Sequence, residues 1–117
     1  MEVKTIELME DIQNVYNDNI DVLVENEDGY EYIISVGTPQ NLLNQMKKEK
    51  TNFIGPGDIH IIVKKLTKQI ITEAIKTYAE DNGYWLKLYQ FASSIDIEIL
   101  NKLEAEHRKE WEGFEED

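Results

Sequence analysis

Residues 20–36 read IDVLVENEDGYEYIISV, and the fold follows from how that stretch is taken. Two runs rich in β-branched and aromatic residues, 20–25 and 30–36, flank Glu27, Asp28 and Gly29. Such runs favour strands, and an Asp-Gly step between them supplies the positive φ that a tight hairpin turn needs. Immediately after the second run, Thr38 and Pro39 mark a helix start. A threonine oxygen can accept from the open N–H groups of the first turn, and proline at the first helical position loses no hydrogen bond. Leu42, Leu43 and Met46 then give that short helix its buried side.

Upstream of the hairpin, Leu8, Met9, Ile12, Val15 and Tyr16 recur at helical spacing, with Thr5 as a cap. Glu7, Glu10, Asp11 and Asn14 fall on the opposite side, so a first helix with an anionic outer surface is expected. Downstream, Gly55, Pro56 and Gly57 end a loop. Residues 59–63 are apolar on both sides of the pleat except at His60, a pattern that belongs to a central strand. Thr67 caps a helix whose stripe is Ile70, Ile71, Ala74, Ile75 and Tyr78, and Asn82 with Gly83 stops it. The aromatic run 84–91 reads as a last strand. Ser93 or Ser94 opens a final helix lined on one side by Ile95, Ile99, Leu100, Leu103, His107 and Trp111, with residues 112–117 an acidic tail.

The expected order is therefore α-β-β-α-β-α-β-α: a single α+β domain over residues 1–117, with a four-stranded mixed sheet packed by helices. Residues 59–91 would form a right-handed parallel β-α-β crossover. A chain of 117 residues with 41% apolar content can enclose one hydrophobic core unaided.

Charge narrows the functional classes. The formal net charge is −12, and between Lys4 and Lys47 nine carboxylates occur without a single lysine, arginine or histidine. Phosphate neutralisation needs clustered cations, and Arg108 is the sole arginine, so direct nucleic-acid binding is disfavoured. The absence of cysteine removes disulfides, thiolate metal sites and cysteine nucleophiles. No basic-then-apolar leader or membrane-length apolar run is visible, and a cytoplasmic protein is expected. Heavy use of Ile, Lys, Asn and Glu fits an AT-rich bacterial or phage coding sequence.

Catalytic chemistry finds little to work with. His60 could serve as a general base beside Asp58, Tyr84 or Tyr89, but no nucleophile elbow, Cys–His pair or dinucleotide fingerprint accompanies it. Glu104 and His107 have a spacing seen in carboxylate-bridged metal sites, yet no second such pair exists to complete a ligand set. A non-enzymatic protein without metal or cofactor is expected.

Two binding readings remain. In the first, Glu7, Glu10, Asp11, Asp21, Glu25, Asp28 and Glu31 form an anionic face that docks on a basic surface of a protein partner. A nuclease or other nucleic-acid-binding enzyme offers such a surface, and the carboxylates would imitate a phosphate array. That is the behaviour of a nuclease-toxin immunity protein or a phage-encoded anti-defence inhibitor. The plainer explanation of the same charge is a solvated face that keeps the domain soluble. In the second reading, Gly55, Gly57, Lys64, Trp85 and Tyr89 gather around a nucleotide-like small ligand, with Lys47, Lys48, Lys50, Lys65 and Lys68 as a basic rim. The aromatic run could also line a surface for homo-oligomer formation.

Overall fold

β2 (Asn19–Asn26) and β3 (Glu31–Gly37) pair antiparallel in the register that the hairpin implies, with Val22 opposite Ile34 and Glu25 opposite Glu31. The turn closes on Asn26, which is buried: its backbone N–H donates to the Tyr30 carbonyl, and its side-chain oxygen accepts from the Tyr30 N–H. Gly29 takes φ +89° there, where a side chain would be strained. This is a computed structural model in which residues 1–115 are described, except for the side chains of Ser93 and of residues 111–115.

The sheet is completed by β1 (Val3–Leu8), antiparallel to β2, and β4 (Ile61–Ile62), parallel to β3, in the spatial order β1-β2-β3-β4. It is therefore four-stranded and mixed, as expected. α1 (Pro39–Glu49) connects β3 to β4; α2 (Lys68–Tyr78), α3 (Glu80–Ser94) and α4 (Ile97–Glu115) follow. Two of the expected caps form: Thr38 accepts from the Asn41 N–H, and Thr67 accepts from the Ile70 N–H. One face of the sheet presents Ile20, Val22, Val24, Tyr32, Ile34 and Val36 to Ile71 and Ile75 of α2 and Leu86 of α3, and these residues form the core.

Several expectations are corrected. The first element is strand β1, not a helix. Residues 5–8 alternate polar and apolar after a register shift between Val3 and Thr5, while the apolar positions at helical spacing beyond Leu8 lie in a loop. There the short polar side chains compete for the backbone: Asn14 Oδ1 accepts from the Tyr16 N–H, and the Asp18 carboxylate accepts from the N–H groups of Gln13 and Asn19.

The second correction concerns residues 59–63, which form an edge strand of two residues rather than a central one. Ile61 and Val63 are buried, but Ile62 is 59% exposed. Third, residues 84–91 are helical. Leu86 faces the core while Tyr84, Leu88 and Phe91 share the opposite, exposed side of α3, a period of 3.6 that also fits the sequence. Three consecutive left-handed residues, Asp81, Asn82 and Gly83, turn the chain between α2 and this helix.

Fourth, the parallel crossover runs β3-α1-β4 instead of over residues 59–91. Asp96 caps the last helix by accepting from the Ile99 N–H, and Ser94 ends α3 instead, while the side chain of Ser93, the other expected cap, lies outside the described residues. Every described side chain from Asp96 to Glu110 is exposed. Accordingly the radius of gyration, 17.5 Å, exceeds the ~13–14 Å of a compact chain of this length. The Trp111 side chain, expected on the same stripe, and residues 116 and 117 of the acidic tail lie outside the described residues.

Candidate functional site

Because side chains alternate along a strand, the β register assigns every carboxylate of the sheet to one face. Opposite the core lie Glu7 of β1, then Asp21, Leu23 and Glu25 of β2, then Glu31, Ile33 and Ser35 of β3. Three cross-strand rows result: Thr5, Glu25 and Glu31; Glu7, Leu23 and Ile33; Asp21 and Ser35. Leu23 and Ile33 form an apolar centre, Ile33 being 48% exposed, and carboxylates stand on three sides of it.

Four of the seven expected docking residues, Glu7, Asp21, Glu25 and Glu31, thus share one surface, carried by three strands rather than by a helix and a hairpin. Glu10 joins its border, where its carboxylate accepts from the Asp21 N–H at 3.3 Å. Asp11 is exposed in the loop after β1, and Asp28 sits at the hairpin tip beside a small cavity lined by Tyr30, Tyr32 and Lys87. Sequence reasoning missed Leu23 and Ile33. The signal was present, since both lie two residues from a chosen carboxylate on the same strand and so on the same face.

The local electrostatics leave this face negative. Glu25 and Glu31 are direct cross-strand partners, and like charges so placed repel. Among the described residues Glu25 alone of the seven has a cationic partner, Lys4 at 3.3 Å. Among the described residues none of the mid-chain lysines forms an ion pair with this face. Lys47 and Lys48 end α1, and Lys65 sits over the Tyr16 ring, 5.4 Å from its centroid.

Among the described residues, none of the cavities seen gathers the second set of expected residues. Lys64 lines a shallow groove with Ile62, Ile70, Glu73 and Tyr78, which includes neither Gly55, Gly57, Trp85 nor Tyr89. Trp85 and Tyr89 lie together on α3, and the Tyr89 ring stacks on His60, 5.0 Å between centroids and 8° from parallel. Beside the Asp58–Ile59 segment is a groove of about 490 Å³ whose walls are amides, Asn17, Asn19, Asn41 and Asn44 among them. Two of these pairs bond each other: Asn19 to Asn41 at 2.7 Å and Asn44 to Asn17 at 3.0 Å.

His60 has a structural task. Its Nδ1 accepts from the Ser35 N–H at 3.1 Å, and its own N–H donates to Ser35, while burial holds its pKa below the ordinary histidine value against the opposing charge of Asp21. Glu104 accepts from Arg108 one helical turn on, at 2.6 Å. Burial, with Tyr30 and Asp28 nearby, raises the Tyr32 pKa. Among the described residues no helix is long and apolar enough to cross a membrane.

Comparison of the chain with protein-family models, with curated proteins and with solved structures gives no significant match. The functional reading therefore rests on the geometry of the site.

Proposed function

We propose that this chain is a non-enzymatic, cytoplasmic binding protein that docks the open face of its sheet on a basic surface of a protein partner. One observation carries the reading: a half-buried Leu23 beside an exposed Ile33 is bordered by Glu7, Asp21, Glu25 and Glu31 on the face opposite the core, which no helix covers among the described residues. An apolar centre with a charged border is the anatomy of a protein interface, in which the centre supplies most of the affinity and the border sets specificity and association rate. Along β2 the carboxylates of Asp21 and Glu25 are spaced four residues apart, about 14 Å, which suits an array of cations rather than a single one.

Proteins that handle nucleic acids present such arrays of lysine and arginine. An inhibitor or immunity protein covering one of them would need the sign of charge, small size and open sheet face found here. The amide-lined groove beside Asp58 lacks the cationic walls that a nucleotide would require, with Lys48 its single lysine against Glu49 and Asp58.

The test compares wild type with a variant carrying Glu7, Asp21 and Glu31 all changed to lysine, each immobilised against lysate of the native host. Basic proteins should be retained by the wild type alone and released steeply between about 50 and 200 mM salt, as screening predicts. The purified partner should then bind wild type and fail to bind the variant. Equal retention by the two proteins would overturn the proposal.

A further inference from the structure

We propose that two copies of this chain form a two-fold dimer by exchanging arms, α4 of each copy lying along the outward face of α3 of the other. Both halves of such a seam are present in one chain. On α3, Tyr84, Leu88 and Phe91 recur at spacings of four and three and are 58%, 39% and 53% exposed. With Lys87 they line a shallow, largely apolar depression. On α4, Ile99, Leu100 and Leu103 form a second stripe, 46%, 44% and 48% exposed.

A helix that stands in water with its apolar stripe uncovered gains nothing from packing, from which most helical stability in proteins comes. Its own α3 does not cover it: the connection is only Ile95 and Asp96, with Ile95 extended (φ −88°, ψ 136°), and α4 leads away from the body. A second copy offers the complementary surface, and reciprocal exchange satisfies both stripes of both copies at once, the closed arrangement of an isologous interface.

Area and charge favour the same occupant. The six side chains expose on the order of 600 Å² per copy, most of the ~800 Å² that each partner of a stable complex buries. The α3 face carries Lys87 in its middle, and on α4 the leucines are bordered by Glu106 and Lys102, while Glu104 is held by Arg108. Across an exchanged seam Glu106 would attract Lys87.

Sedimentation equilibrium of the whole chain at 10–100 µM should give twice the 13.7 kDa monomer mass. Leu100→Glu with Leu103→Glu should return it to monomer while leaving the melting transition of the sheet body in place, because neither leucine contributes to the core. A monomeric wild type, or a dimer that survives the double change, overturns the proposal. The absence of native cysteine permits a test of geometry. Mixed under oxidation, Leu88→Cys and Leu103→Cys chains should crosslink to each other in preference to themselves. Predominant self-crosslinking, or an intramolecular disulfide in the chain carrying both changes, would rule out exchange.

Discussion

The backbone N–H of Ser35 ends on Nδ1 of His60, 3.1 Å away, where a neighbouring strand would otherwise receive it. β4 pairs with β3 at Val36 and Gly37, the His60 N–H donates to the Ser35 carbonyl, and the N–H groups of Ser35 and Ile33 on that edge go to side chains. A second side chain closes it further along, Oε1 of Gln90 accepting from the Ile33 N–H at 3.2 Å. An uncovered edge is a template for unwanted strand pairing, and here an imidazole and an amide occupy it instead of a fifth strand.

Stability should consequently depend on the protonation of His60. An imidazolium has no lone pair at Nδ1, so the bond to Ser35 requires the neutral ring. The native pKa is depressed by burial, with Asp21 opposing, and on acidification the unfolded chain takes up its proton first. The contribution is intact above about pH 6.5, the unperturbed value, and is lost as pH falls from there through the lowered native value. His60→Asn keeps an acceptor at that position and cannot titrate. Urea midpoints measured from pH 7.5 to 5 should show wild type losing stability relative to His60→Asn, and parallel curves would refute the assignment.

Thr38 is fully buried, and its hydroxyl serves two elements at once. It accepts from Asn41 N–H to cap α1 and from Asp18 N–H at the entry to β2, both at 3.4 Å. Thr38→Ala should cost about 1–2 kcal/mol, the upper part of the range for a lost cap, because two donors lose their acceptor. Thr38→Ser should recover most of that loss in chemical denaturation.

The two ends of the chain's reading differed in legibility for physical reasons. The hairpin, the Thr38 and Thr67 caps and the stripe of Ile71 and Ile75 were plain, since local turn chemistry and periodicity both pointed one way. Residues 3–16 were ambiguous because an alternating strand runs directly into a loop whose apolar residues happen to fall at helical spacing. Only the side-chain bonds of Asn14 and Asp18 to nearby N–H groups decide against the helix. Residues 84–91 satisfy both periods, and the deciding factor is tertiary: Leu86 is buried in the core and Tyr89 packs against it, while Tyr84, Leu88 and Phe91 stay exposed. The carboxylates of the candidate face could be chosen from charge alone. Their convergence, and the apolar pair among them, required the pairing of β1 with β2.

Gly83 tests the turn that redirects the chain into α3. It has φ +71°, the last of three left-handed residues, and a Cβ there would collide with the Met1 methyl and lie 3.0 Å from its sulfur. The end of a methionine side chain moves at little cost, so the backbone conformation should dominate. Gly83→Ala should lower stability by about 1–2 kcal/mol, and Gly83→Asn by less, since asparagine tolerates that region. Equal losses in thermal unfolding would mean that the contact with Met1, not φ, governs the position.

Glu31 offers a test in which stability and binding move in opposite directions. It stands directly across from Glu25, and Lys4 offsets only part of that repulsion because it reaches Glu25 alone. Glu31→Lys converts a repulsive cross-strand pair into an attractive one and should raise stability by about 0.2–1 kcal/mol. A surface kept merely for solubility would gain by the change at no loss of function. A docking face would gain stability and lose affinity, with the association rate falling most at low salt because a border charge acts chiefly on encounter. Glu31→Gln should show half of each effect, as it removes the repulsion without adding a cation. Denaturation curves paired with stopped-flow association against the captured partner separate these cases: unchanged association with a stabilised sheet would assign Glu31 to solvation alone.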